Sequence, residues 1–371
     1  MKKEKNKILA LYLPQYHAIP ENDMWWGKGY TEWTAVKGAK PLFYGHMQPK
    51  VPLNKNYYDL SEQDGKTWKW QAELAKKYNI YGFCIYHYWF DEGKQLLEKP
   101  MEILLAHPEI DINYCICWAN ETWARNWYGQ FNSVLMKQEY RGIKEYKAHF
   151  DYLLPFFKDK RYIKVDNKPM VNIYRCEDIE DLESFRLLWD DLARQNGFSG
   201  IYIVSARTGR KKIEARTHLI DAFYNFEPGY TRNHIETFCD LFLERVWTIF
   251  AKGMNKFFKT NIVENKVDAR KVYFRMKEQN RQLEKPVYPG VFVKWDNTPR
   301  RGKKGIVYFH TAPNLFGEQL KYILQFNNKM CVDNEFIYIN AWNEWGEGCY
   351  LEPDESDKYS YLEEVKKAFS L

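Results

Sequence analysis

The chain has 371 residues, 45% of them hydrophobic, which suffices for one large core, and its net charge of +6 is too small to argue for a nucleic-acid partner. Its aromatic content of 18%, with 14 Trp, 28 Tyr and 23 Phe, exceeds what a core asks for, because each buried indole N–H or phenol O–H must find a partner. Flat amphipathic rings suit the C–H faces of sugars, so the composition points toward carbohydrate.

The opening MKKEKNKILALYLPQYH imitates a secretory leader, but its apolar run from Ile8 to Leu13 is short and stops at Pro14. It reads better as a first strand. No run reaches the roughly 18 apolar residues of a transmembrane helix. The seven cysteines (Cys84, Cys115, Cys117, Cys176, Cys239, Cys331, Cys349) are odd in number, and several lie in apolar runs. They read as buried free thiols of a reducing compartment, and the expected location is cytoplasmic.

Along the chain, short β-branched or aromatic runs alternate with longer helical stretches. Strands are expected at Lys7–Tyr16, Ile80–Tyr88, Ile112–Ala119, Pro169–Tyr174, Gly200–Ala206, Ala222–Phe226, Val287–Val293 and Glu335–Ala341. Helices are expected near 59–78, 94–106, 141–157, 181–196, 211–219, 235–257, 264–282, 314–329 and 357–369. The pattern predicts an α/β fold, a (β/α)8 TIM barrel forming a single domain over 1–371. Long insertions follow strand one (18–58) and strand six (227–286). A doubly wound open sheet would carry a Gly-rich phosphate turn after an early strand, and none is present.

Catalysis in such a barrel sits on the loops that follow the strands. Strand one leads into Tyr16 and His17, and strand two into His87 and Trp89. Strand three leads into Trp118, Asn120, Glu121 and Trp123, and strand six into Glu227. Strand seven leads into Trp295, Asp296 and Asn297, and strand eight into Asn343, Glu344, Trp345 and Glu347. Rings beside amides and carboxylates are the equipment of a sugar pocket. His17 and His87 read as sugar contacts or core residues, since there is no H-E-x-x-H and no third ligand. There is no P-loop and no Asp-x-Asp motif, and neither a metal nor a cofactor is predicted.

Cleaving a glycosidic bond takes an acid for the departing oxygen and a second carboxylate. Glu344 and Glu347 would face opposite sides of a continued strand. Trp345-Gly346 and Gly348 instead suggest a turn that lets both carboxyls share one pocket, as the catalytic pair. Glu121 and Glu227 read as hydroxyl-binding or supporting groups. Of the pair, Glu347 is expected to have the raised pKa, because it must be protonated to assist departure.

At these residues the sequence resembles the WbsX family of polysaccharide-biosynthesis glycosyltransferases, which is related to glycoside hydrolase family 99. The resemblance rests on YLPQYHAIPENDMWWGKGYTEWTAVKGAKPLFYGHMQPKVPLN (12–54), YGFCIYHYWF (81–90), CWANETWARNW (117–127), FVKWDNTPRRG (292–302) and INAWNEWGEGCYLEPD (339–354), and so covers essentially the whole chain. It implies a barrel acting on α-mannosidic bonds with retention. Glu344 would be the base at the substrate 2-hydroxyl, which attacks the anomeric carbon to give a 1,2-anhydro intermediate. Glu347 would be the acid/base at the glycosidic oxygen. Family 99 hydrolases commonly have His between these glutamates, where this chain has Gly346. The resemblance also implies pocket wall from Trp25, Trp26, Glu32 and Trp33.

Three functions follow. The first is a retaining glycosidase or transglycosylase of a bacterial surface polysaccharide, the second a glycosyltransferase using an activated donor, and the third a glycan-binding barrel without catalysis. The expected partner is an oligo- or polysaccharide. Arg207, Arg210, Lys211 and Lys212 after strand five, with Arg300, Arg301, Lys303 and Lys304 after strand seven, suit an anionic or lipid-diphosphate-linked glycan.

Overall fold

The computed structural model describes residues 6–124, 134–208, 214–234, 238–260, 262–278, 285–330 and 336–370. Arg210, Lys211, Lys212 and Cys331 lie outside the described residues.

The barrel is built from β1 (Lys7–Tyr12), β2 (Gly82–Trp89), β3 (Asn113–Trp118), β4 (Lys168–Ile173), β5 (Tyr202–Arg207), β6 (Ala222–Asn225), β7 (in two pieces, Val287–Tyr288 and Gly290–Phe292) and β8 (Phe336–Asn340). All are parallel to their neighbours, in the order β7–β6–β5–β4–β3–β2–β1–β8–β7. The two pieces of β7 close the ring: Phe223 pairs with Val287 on one side, and Gly290 with Tyr338 on the other. The expected continuous strand seven is broken at Pro289, which has no N–H to donate to a ladder. Gly290 is required just after the break, since a Cβ there would stand 1.9 Å from the Asn225 carbonyl oxygen.

These strands are buried almost throughout, as expected where one face fills the barrel and the other packs under helices. Inside, Tyr338 stacks on Tyr224 at 4.2 Å and donates to Asn172 Oδ1 at 2.6 Å. Cys84, Cys115 and Cys117 share this interior, and burial raises the Cys84 thiol well above its ordinary range. The C-x-C pair is therefore packing. Cys176 and Cys349 are also buried free thiols, whereas Cys239 is exposed.

The covering helices include Lys66–Lys77, Lys99–Ala106, Ile143–Lys158, Leu182–Gln195, Phe238–Phe257, Ala269–Met276, Pro313–Met330 and Ser360–Phe369. Two expectations change. The stretch from Glu214 to Leu219 is a 3-10 turn. The expected helix at 264–282 begins as a strand, Asn265–Asp268, parallel to Ile306–Phe309, and turns helical only where the Asp268 side chain caps Arg270 N–H. No described helix is long and apolar enough to cross a membrane.

Candidate active site

The barrel end where β8 exits carries a tight turn. Asn343–Glu344 pairs antiparallel with Cys349–Tyr350, and Trp345–Glu347 forms a single 3-10 turn between them. Gly348 adopts φ +63°, and a Cβ on it would meet the backbone of Asp296 at 2.8 Å. That close approach lets Asp296 N–H donate to the Glu347 carbonyl at 2.8 Å, which ties the turn to the end of β7. The turn points both carboxyls into one cavity, lined also by Gln15, Asn22, Trp26, Tyr86, Tyr88, Trp123, Tyr174, Phe226 and Arg300.

Arg300, from the short helix Thr298–Arg301, stands between the acids. Its Nη2 is 3.1 Å from Glu344 Oε2 and its Nη1 is 3.0 Å from Glu347 Oε1. Its Nε donates to Glu32 Oε1 at 2.9 Å. One guanidinium thus faces three carboxyls, more negative charge than it neutralises. Burial is the main force raising Glu344, up to about 8; Arg300 works against it and the charge of Glu347 adds to it. Burial raises Glu347 as well, with Arg300 again opposing. Both acids of the pair are raised by burial, so the rise expected of Glu347 is present there and is shared by Glu344.

The cavity, about 120 Å³, continues into a wider groove of about 500 Å³ that shares Glu121, Tyr174, Phe226, Arg300 and Glu347. Trp295, Asn297, Arg301, Thr208 and Leu241 line the groove. Glu121 accepts from Arg175 Nε at 2.9 Å and Nη2 at 2.5 Å, which holds its carboxylate at the cavity wall.

Of the residues expected in the pocket, Trp26, Glu121, Trp123, Glu344 and Glu347 line the cavity, and Trp295 and Asn297 line the groove. The others stand behind them. His87 is buried against His149, with Nε2 atoms 2.9 Å apart, and burial pushes it down to about 3. Trp89 stacks on His149 at 4.5 Å, and Trp118 Nε1 donates to the Trp89 carbonyl. The pleat is the cause: side chains alternate, so Tyr86 and Tyr88 face the cavity while His87 and Trp89 face the helix layer. Trp118 likewise points away from the side shared by Cys115 and Cys117.

Tyr16 is buried and donates to the Asn343 carbonyl. Trp33 packs on Tyr16 and Trp345, and its Nε1 donates to the Tyr58 carbonyl. Trp345 stacks on Tyr350 at 3.8 Å and donates to Glu352. The Asn343 side chain clasps Leu13 through both its N–H and its carbonyl. These four brace the turn instead of lining the cavity. Asp296 does so too: burial would raise it, but hydrogen bonds from His46, Thr298 and Gln48 keep it low. Asn120 bridges to the backbone of Arg175 and lies on a separate outer groove. Glu227 is spent on Thr231. His17 is buried, and burial lowers its pKa. Glu32 is fully buried beneath Arg300. Among the described residues no group of three or more His, Cys, Asp or Glu could hold a metal ion.

Sequence reasoning missed Tyr86, Tyr88, Tyr174 and Phe226 as cavity walls. Tyr86 and Tyr88 flank the chosen His87 and Phe226 precedes the chosen Glu227, whereas no residue beside Tyr174 was chosen. Arg300 was noticed only as one of a charge cluster.

A model described as Glycosyltransferase WbsX matches residues 8–365. The "Uncharacterized protein WxcX" of two Xanthomonas campestris pv. campestris strains is 33% identical over 364 residues, covering 98% of this chain and 49% of the relative. The chain thus spans about half the length of the curated relatives it matches. Among solved structures, the GH99 endo-alpha-mannosidase of Bacteroides thetaiotaomicron, in complex with bis-tris-propane, superposes with a TM-score of 0.59 at 13% identity, over 98% of this chain and 97% of that one. A glycoside hydrolase-like protein gives 0.54 at 12% identity, over 99% and 94%. At such identities the likeness is one of fold, the (β/α)8 barrel.

Proposed function

This chain belongs to the WbsX glycosyltransferase family, and from that premise we propose that it cleaves or transfers a glycosidic bond with retention, using Glu344 and Glu347, on a bacterial surface polysaccharide or its precursor. The observation that carries the reading is the pair itself: two buried carboxyls on one cavity, both raised, joined through Arg300. A barrel that only bound glycan would gain nothing from burying such a pair, because desolvating carboxyls costs stability.

In this reading Glu344 takes the proton of the substrate 2-hydroxyl as that oxygen attacks the anomeric carbon. The glycosidic C–O bond breaks, and Glu347 gives its proton to the departing oxygen. Water or an acceptor hydroxyl, deprotonated by Glu347, then opens the 1,2-anhydro sugar, and the 2-oxygen is reprotonated. Arg300 steadies whichever carboxyl is ionised. An α-mannoside-like bond is the substrate class suggested by the fold it shares with the endo-alpha-mannosidase. Tyr86, Tyr88 and Trp123 offer rings to the sugar, and Glu121 offers a carboxylate to its hydroxyls. The buried free thiols suit a cytoplasmic setting.

A second reading, transfer from an activated donor, is favoured by the family's description and by Arg301 on the groove, where a phosphate or other anionic group of a donor or lipid-diphosphate-linked glycan would sit. The experiment that separates the two is incubation with the host's surface glycan, with and without nucleotide sugars. New reducing ends or exchanged chains without nucleotide support the first reading. Turnover only with nucleotide supports the second.

A further inference from the structure

The helix Phe238–Phe257 docks through one side on the segment that follows it and leads into the strand Asn265–Asp268. Ala251 is fully buried, Trp247 Nε1 donates to the Val263 carbonyl at 3.1 Å, and Asn255 donates to the Ile262 carbonyl at 2.8 Å. Its opposite side presents Val246, Ile249, Phe250 and Phe257 to solvent, continued by Phe258; Ile249 is 64% exposed and Phe257 76%. Spacings of three, four and seven put these residues on one stripe of a helix about 30 Å long. Arg245, Lys252 and Lys256, seven and four apart, run beside that stripe, with Lys259 just beyond it, and all four are exposed. Bulky apolar residues bordered by a row of cations are the composition of a helix that lies in a lipid interface.

We propose that this outer face rests on the surface of an anionic lipid bilayer, with Val246, Ile249, Phe250 and Phe257 entering the headgroup boundary and the basic row pairing with lipid phosphates. Charge chooses this occupant over a second copy of the chain. Two such faces pressed together would bring the cationic rows close, and the described exposed charges of the helix are all positive. The helix lies on the membrane and does not cross it, since it is not apolar enough to span one. Leu241, near its start, also lines the groove beside Glu347 and Arg301. Docking therefore opens the groove next to the bilayer, where a lipid-linked glycan would present its sugar.

The test is co-sedimentation of the protein with vesicles of equal parts phosphatidylglycerol and phosphatidylcholine, against vesicles of phosphatidylcholine alone. Two double variants accompany it, Ile249→Ser with Phe250→Ser and Lys252→Glu with Lys256→Glu, each checked for an unchanged melting curve. The protein should pellet with the anionic vesicles and far less with the neutral ones, and each double variant should weaken partitioning by about tenfold or more. The charge-reversed protein keeps the apolar stripe, so it remains informative if the serine variant folds poorly. Wild-type protein left in the supernatant with anionic vesicles would overturn the proposal. So would variants that partition like wild type, or a dimer that Ile249→Ser with Phe250→Ser dissociates without changing vesicle binding.

Discussion

A Cβ on Gly346 would stand 1.7 Å from Glu32 Oε1, so the turn that carries Glu344 and Glu347 closes against the buried Glu32 carboxyl with no room for a side chain between them. Arg300 Nε, at 2.8 Å from the same point, fills the rest of that space. The space beside the turn is thus filled by the Glu32–Arg300 ion pair, which reaches in from elsewhere in the fold. Gly346→Ala should force Glu32 and Arg300 apart, costing about 1–3 kcal/mol and lowering kcat. Melting temperature and turnover check this. A variant equal to wild type in both would contradict the packing argument.

The charge balance around Arg300 predicts a pH profile. A carboxyl raised to about 8 keeps its proton at neutral pH and loses it as pH rises through that value. That carboxyl is Glu344, which must be ionised to take the 2-hydroxyl proton, so kcat/KM should rise with pH toward 8. Arg300 opposes the rise of both acids, so Arg300→Gln should move that limb to higher pH by about one unit or more. Loss of a buried partner should also cost about 3–5 kcal/mol of stability. An unmoved rising limb in the folded variant would separate Arg300 from the acids.

The direction of the pleat makes a paired prediction. Tyr88→Ala removes a ring from the cavity and should raise the KM of the folded protein roughly tenfold. Because Tyr88 is buried, the substitution should also lower the melting temperature. Trp118→Ala empties a buried site and should cost about 3–5 kcal/mol while leaving the KM of the folded fraction near wild type. The reverse pattern would mean that the two faces have been assigned the wrong way round.

Arg301 is exposed on the groove, and its charge acts on Glu347. If the substrate carries phosphate or carboxylate, Arg301→Ala should raise KM more than it lowers kcat and flatten the salt dependence of binding. Substrate binding that is independent of salt in the wild type would leave Arg301 as surface charge.

The barrel was legible because its strands are short, apolar on both faces and separated by amphipathic helices; the break at Pro289, the 3-10 turn at Glu214–Leu219 and the small ribbon of Asn265–Asp268 with Ile306–Phe309 departed from the pattern. Glu344 and Glu347 were legible as a candidate pair because Gly346 and Gly348 announce a turn. The walls were harder. Alternation says that Tyr86 and Tyr88 share one face and that His87 and Trp89 share the other, but both sets are aromatic, and register alone decides which faces inward. Arg300 was hidden for a different reason. Its role comes from contact with Glu32, 268 positions away, and no local spacing encodes that contact.

The most direct test of the account is the turnover of Glu344→Gln and Glu347→Gln on the host glycan, measured as new reducing ends or transferred chains, with circular dichroism confirming the fold. Each substitution keeps the shape of the side chain and removes its ability to exchange a proton, so each should abolish turnover of unactivated substrate while leaving the barrel intact. Near wild-type rates in the Glu347→Gln protein would contradict the assignment of these carboxyls as the catalytic pair.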